Sequence, residues 1–191
     1  MTQFYNQNSN HYFKSTVNAD MSNVQERFLA YIPKYGSILD AGCGSGRDTK
    51  SFIDMGFKVT AFDASKSLCL LAENYTNIKV SHSTFIDFAS PTKFDCIWAC
   101  ASLLHVPRHD LLKTIEHLGR LLMPNGYLYC SFKLGEEDAE NDGRLFNNQT
   151  TDTFPRYLPN SFKVIEIWIS EDSTKLNRQQ QWLNVILKKS A

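Results

Sequence analysis

Residues 38–48 read Ile-Leu-Asp-Ala-Gly-Cys-Gly-Ser-Gly-Arg-Asp, a combination suited to holding a small ligand. Glycine is needed where the backbone takes positive φ or where a ligand must approach without a Cβ in the way. Gly42, Gly44 and Gly46, at alternate positions, therefore indicate a tight turn pressed against a bound molecule. Asp40 and Asp48 flank the turn. Both would repel a diphosphate and attract a ligand carrying an ammonium and a sulfonium. The dinucleotide fingerprint G-x-G-x-x-G/A wants a small residue where this chain has Arg47. Asp63, seventeen residues beyond Gly46, is close to the spacing at which an acid accepts both hydroxyls of a ribose. Its bland alternative is capping of the Ala64-Ser65 turn.

A second group could act on an acceptor. His105, in the segment Cys-Ala-Ser-Leu-Leu-His at 100–105, could take a proton or orient a substrate; packing before Pro107 is the alternative. His11, His82, His109 and His117 lack comparable placement. Lys133 and Arg144 could neutralise an anionic substrate, although basic residues near loops are usually solvated. Tyr12 and Phe13 could form a lid over a ligand or simply pack an amino-terminal helix. Trp98, Trp168 and Trp182 read as core.

The elements that must position these residues alternate. Residues 22–25, Ser-Asn-Val-Gln, read as a capping box for a helix ending near Pro33, and Gly36 turns the chain into a first strand at 37–40. A helix at 45–55 follows, then a strand at 58–62 leading into Asp63, a helix at 65–75 and strands at 78–81 and 94–99. A helix at 110–123 should bury Leu111, Leu112, Ile115, Leu118 and Leu122, and a Pro-Asn-Gly turn leads to a strand at 127–133. This alternation predicts a parallel sheet with helices on both faces. Residues 136–148 read as a loop and 151–158 as a short helix. Two strands, at 162–170 and 182–188, are apolar on both faces and so should be well buried; the short connection between them predicts an antiparallel pair. Residues 1–20 are rich in amides but carry Phe4, Tyr5, Tyr12 and Phe13, so part of this segment should fold back on the domain.

The glycine segment, Asp63, Thr84-Phe85, Phe-Asp-Cys-Ile-Trp at 94–98 and Leu-Leu-Met-Pro-Asn-Gly at 121–126 together resemble a class I S-adenosylmethionine-dependent methyltransferase. The match runs from about Ser37 to Lys133, and broadly the chain is similar to the small tellurite- and thiopurine-type members. The resemblance implies an α/β, Rossmann-like seven-stranded sheet in the order 3-2-1-4-5-7-6 with the last strand antiparallel. It implies S-adenosyl-L-methionine as cofactor, held by Tyr12, Asp40, Ala41, Gly42, Gly44, Gly46, Arg47, Asp63, Ala64, Thr84, Phe85 and Ala99, with His105 as the catalytic candidate. Thr84 stands where many members carry an acid for the adenine amino group; Asp87 comes three residues later.

Composition narrows the partners. The 191 residues suit one domain, with 1–33 as an amino-terminal helical lid. Formal net charge is zero, which argues against broad charge-driven binding to nucleic acid or anionic membranes. No apolar run reaches the roughly 20 residues of a membrane span, and the polar start does not read as a signal peptide. The five cysteines, Cys43, Cys69, Cys96, Cys100 and Cys130, fit reduced thiols and a cytoplasmic protein, and no metal site is expected. A small-molecule methyl acceptor is favoured. A methyltransferase for transfer RNA or protein with a partner subunit, a non-catalytic adenosyl-binding protein and an NAD-dependent oxidoreductase are the alternatives, and monomer and dimer are both open.

Overall fold

The computed structural model describes residues 2–173 and 180–190. Two amino-terminal helices, α1 (Thr2–Thr16) and α2 (Ser22–Leu29), precede β1 (Ser37–Ala41), α3 (Arg47–Asp54), β2 (Lys58–Asp63), α4 (Lys66–Thr76), β3 (Val80–His82) and β4 (Phe94–Ala99). Two 3₁₀ turns, Leu103–His105 and Arg108–Asp110, lead into α5 (Leu111–Leu121) and the long β5 (Leu122–Lys133). The chain then forms β6 (Ala139–Asn141), β7 (Arg144–Phe146), a 3₁₀ turn at Phe154–Tyr157, β8 (Phe162–Glu171) and β9 (Gln181–Lys189).

Seven strands form one sheet in the order β3-β2-β1-β4-β5-β9-β8. Setting aside the separate β6–β7 hairpin, this is the expected order 3-2-1-4-5-7-6. Strands β1 to β5 pair in parallel, and β9 runs antiparallel to both β5 and β8. Helices cover both faces because strand side chains alternate. Ile38, Cys96, Trp98 and Tyr129 meet Phe28 of α2 and Phe52 of α3 on one face. Leu39, Ile97 and Leu128 meet Leu111, Ile115 and Leu118 of α5 on the other. Trp98 stacks on Tyr129 at 4.0 Å between ring centroids, and both are fully buried.

Several local expectations are corrected. The capping box does not form: Met21 is the cap residue of α2 and makes no side-chain cap bond. The Ser22 amide instead donates to Asp20 Oδ1, and Gln25 turns inward. Its Nε2 donates to Asp48 Oδ1 at 2.8 Å while Ser51 Oγ donates to its Oε1, so the side chain is anchored inward and Ser51 holds the oxygen that a capping box would have needed. Leu112 is 41% exposed, one position off the buried row of α5, and Leu122 has already left the helix to begin β5. Residues 139–146 form a hairpin where a loop was expected, with Asp142 at φ 52° and Gly143 at φ 68° supplying its turn. The short helix expected near 151–158 is the 3₁₀ turn. Strand β8 lies at the sheet edge rather than in the core: Ile165 and Ile169 are 39% and 48% exposed. Trp98 is core, whereas Trp168 and Trp182 are only partly buried.

Candidate active site

The carboxyl ends of β1, β2 and β4 converge under α1. Here β1 runs straight into the glycine turn, whose first amides, Gly42 and Cys43, donate to the Phe62 carbonyl of β2. Gly42 sits at φ 80°, and a Cβ there would lie 2.6 Å from Ser102 Cβ, so no larger residue fits. Ser102 Oγ donates to the Ala41 carbonyl at 2.7 Å and fastens the segment after β4 to the turn. The turn ends at α3, whose first residues carry the buried polar hub of the site. Asp48 accepts from Arg47 Nε at 2.9 Å and Nη2 at 2.7 Å, from Gln25 Nε2 and from Trp98 Nε1 at 2.9 Å. Burial disfavours charge on Arg47, but Asp48 more than offsets this and holds its pKa above the ordinary guanidinium value.

Asp40 is almost completely buried and accepts from Thr49 Oγ1 at 2.5 Å. Burial, then the nearby Asp48 charge, raise its pKa well above the usual carboxylate range, so it would gain from a bound cation. Asp63 ends β2. Its Oδ2 accepts from the Gly44 amide at 2.9 Å and its Oδ1 from the Ser65 amide at 2.8 Å, so it ties the glycine turn to the start of α4. Turn capping is thus one of its functions, and burial raises its pKa while those two amides pull it back.

Two adjoining cavities lie along this edge. The smaller, about 140 Å³, is lined by Gly42, Gly44, Asp63, Ala64, Thr84 and Phe85. Phe85 packs edge-on against Phe62 at 5.6 Å, and Thr84 Oγ1 donates to Asp87 Oδ2 at 2.6 Å, so the Thr84 hydroxyl is committed within its own turn. The larger, about 770 Å³, is lined by Asp40, Arg47, Cys100, Tyr129, Lys133 and Arg144 among others. Tyr5, Tyr12, Gly42, Ala101 and His105 border both cavities and mark where they meet. Of the remaining candidates, Ala41 and Ala99 are fully buried and line neither cavity. Gly46 lies outside both as well, turned toward Ala72 and Thr76 of α4.

His105 is held at both ring nitrogens. The Leu145 carbonyl can only accept, so Nδ1 carries the proton and donates at 2.7 Å; Nε2 then accepts from the Tyr5 hydroxyl at 2.8 Å. Burial lowers its pKa to about 4, with repulsion from Arg144 and Lys133 adding to the effect. The ring is therefore neutral near pH 7. This makes Nε2 a fixed hydrogen-bond acceptor and a weak proton acceptor. The Cys100 thiol lines the same cavity, but burial raises its pKa to about 12, so it is not a nucleophile at neutral pH.

Sequence reasoning missed Tyr5, the hub role of Asp48, and Ser102. It also missed that the β6–β7 hairpin brings Phe146 to 5.1 Å from the His105 ring. The aromatic residues in the amide-rich start were the available signal for Tyr5. Nothing local signalled the hairpin packing, which also joins His105 to Leu145, 40 positions away. Among the described residues no cluster of metal-ligating side chains is present, and no helix is long and apolar enough to cross a membrane.

A family profile described as a methyltransferase domain matches residues 13–163. The candidate methyltransferase YqeM of Bacillus subtilis (strain 168) is 30% identical over 122 residues, which span 56% of this chain and 48% of that protein. The chain thus spans about half the length of the curated relatives it matches. Among solved structures, the 1,6-didemethyltoxoflavin-N1-methyltransferase of Burkholderia thailandensis, with 1,6-didemethyltoxoflavin and S-adenosylhomocysteine bound, superposes with a TM-score of 0.81 at 18% identity, covering 100% of this chain and 87% of that one. The [4+2]-cyclase SpnF superposes with a TM-score of 0.77 at 14% identity, covering 100% of this chain and 95% of that one. At such identities the likeness is one of fold, and one fold hosts more than one reaction.

Proposed function

We propose, from the premise that this chain belongs to the methyltransferase domain family, that it transfers a methyl group from S-adenosylmethionine to a small-molecule acceptor. The observation that carries this reading is the meeting of the two cavities beside Gly42, with Asp63 on one side and Asp40 on the other. The donor set suits the cofactor. Asp63 would hold the ribose hydroxyls, Thr84-Phe85 and Ala64 would border the adenine, and Gly42 would line the cofactor where the two cavities meet. Asp40 and the Arg47–Asp48 pair would face the amino-acid part. When bound, the cofactor supplies an electrophilic methyl on a sulfonium, and the chain need only align a nucleophile and exclude water.

The chain's own residues are arranged for those two tasks. Tyr5 and Tyr12 on α1 wall the meeting point of the cavities, so α1 would act as a helical cover. Neutral His105 would orient an acceptor N–H or O–H through Nε2 once Tyr5 releases it. A role as strong general base is disfavoured by its lowered pKa.

A small acceptor is favoured by the size of the larger cavity, which lies in the ordinary range for small-molecule sites, and by the absence of net positive charge. A label-transfer experiment tests both parts. Incubating the protein with methyl-tritiated S-adenosylmethionine and a cell extract fractionated by size should place label in the low-molecular-weight fraction. Label confined to RNA or protein would refute the small-acceptor reading. Failure of the protein to bind S-adenosylhomocysteine by calorimetry would refute the cofactor.

A further inference from the structure

Lys133 at the end of β5 and Arg144 at the start of β7 enter the larger cavity from different elements, yet they share one neighbour. Lys133 Nζ lies 3.7 Å from the centroid of the Phe146 ring, and the Arg144 guanidinium carbon lies 5.2 Å from the same centroid. That guanidinium also sits 4.0 Å from the ring of Phe4 on α1. Aromatic faces attract cations but do not neutralise them. Charge partners are sparse. Among the described residues Lys133 makes no ion pair, and Arg144 has one, a 3.4 Å contact from Nη2 to the largely exposed Asp142. The Nε of Arg144 is buried with no hydrogen-bond partner at all. Burial, followed by the Arg144 charge, lowers the Lys133 pKa, against a smaller opposing effect of Asp172.

The other carboxylates of the cavity meet this demand only in part, through the effect of Asp172 on Lys133. Asp48 is spent on Arg47, Gln25 and Trp98, and Asp40 is bonded to Thr49. Glu171 and Asp172 lie at the carboxyl end of β8. Two partly buried cations beside one ring, one with an orphaned donor, constitute a site for a negatively charged group.

We propose that Lys133 and Arg144 bind an anionic group of the methyl acceptor, a carboxylate or a phosphate, and so hold the acceptor's reacting end toward His105 and Gly42. The proposal rests on the methyl-transfer reading of the same cavity and names the acceptor class. An anion here would accept from the Arg144 guanidinium and from Lys133 Nζ.

The test is calorimetric titration of the full chain, saturated with S-adenosylhomocysteine, using malonate, inorganic phosphate and the neutral malonamide as probes. At least one anion should bind saturably, malonamide should not, and the preferred anion distinguishes carboxylate from phosphate. Lys133→Gln and Arg144→Gln should each weaken the anion about 10-fold or more, while Arg144→Lys, which keeps the charge, should lose less. S-adenosylhomocysteine affinity, measured on every variant, reports an intact site. Absence of saturable anion binding to the cofactor-loaded wild type, or equal binding to both Gln variants, overturns the proposal. If S-adenosylhomocysteine itself fails to bind, the methyl-transfer reading fails instead, and the same titrations on the free protein decide whether the anion site stands.

Discussion

Replacing Asp63 with Asn separates a ribose-binding carboxylate from a turn cap. In the folded protein Oδ2 accepts from the Gly44 amide at 2.9 Å and Oδ1 from the Ser65 amide at 2.8 Å. Asparagine offers one oxygen, so its NH₂ must face one of these two N–H groups. The unsatisfied amide costs about 1–3 kcal/mol of stability, and losing a charge-assisted bond to the ribose costs about 1.5–3 kcal/mol of binding. At about 1.4 kcal/mol per decade, the second loss raises the Kd for S-adenosylhomocysteine about 10- to 150-fold. Calorimetric titration measures this, and urea unfolding confirms that the variant is folded under the same conditions. Ser65→Ala is the matched control. It removes the N-cap bond from the Leu68 amide and the bond to Asn6, costing about 1 kcal/mol of stability while leaving the Asp63 carboxylate in place. A folded Asp63→Asn variant whose Kd stays within about threefold of wild type would refute the ribose assignment.

Three further outcomes are expected. Gly46→Ala should destabilise by about 2–4 kcal/mol in urea unfolding, because φ is 77° and the new Cβ would lie 2.9 Å from Thr76 Cγ2 and 3.1 Å from Ala72 Cβ. Asp48→Ala should cost about 3–5 kcal/mol in the same assay, since it strands the Arg47 cation and the Trp98 and Gln25 donors; a smaller loss than Asp63→Asn would sink the hub assignment. His105 has its pKa lowered to about 4, so the unfolded chain binds the extra proton first as pH falls. Its contribution is constant above the ordinary histidine value of about 6.5 and is lost between there and about 4, by up to about 3 kcal/mol, a slope that His105→Gln should remove from pH-dependent unfolding curves.

The parts legible in the sequence are those written locally. Strands followed by turn glycines, then by helices with one apolar stripe, gave the alternation and hence the parallel sheet, while the strand order came from the family resemblance. Asp63 was legible because its distance from Gly46 is set by one helix and one strand. Residues whose role depends on distant packing were not. Gln25 has the spacing of a capping residue, but Asp48 and Ser51 on α3 hold its side chain inward. In the β6–β7 hairpin, β6 is wholly exposed and so shows no alternation, and the Asp142-Gly143 turn was its sole local mark. The apolar content of β8 suggested a central strand, whereas Trp168 is covered by Arg27 at 4.1 Å and Ile169 is left half exposed at the edge. In the site, the orientation of Lys133 and Arg144 around Phe146 comes from a contact between β5 and β7 that no spacing reveals.

At the proposed cofactor site, helix α1 in this docked position would compete with the ligand before covering it. Tyr12 lies against Gly44, Tyr5 occupies His105 Nε2, and Asn6 Oδ1 accepts from Ser65 Oγ, so the helix fills part of the ground that the cofactor would use. The cavity left beside Asp63, about 140 Å³, is below the ~300 Å³ at which small-molecule sites usually begin. Ser9, at 7% exposure, is the one buried residue of this helix, so its docking rests on a few side chains, and release of the helix would be a local event. Apparent affinity is then the intrinsic affinity scaled by the released fraction: a helix docked 99% of the time imposes about a 100-fold penalty. Exchange of spent cofactor for fresh would run at the helix's own opening rate, so amino-terminal substitutions that never touch the reacting atoms would set the turnover number.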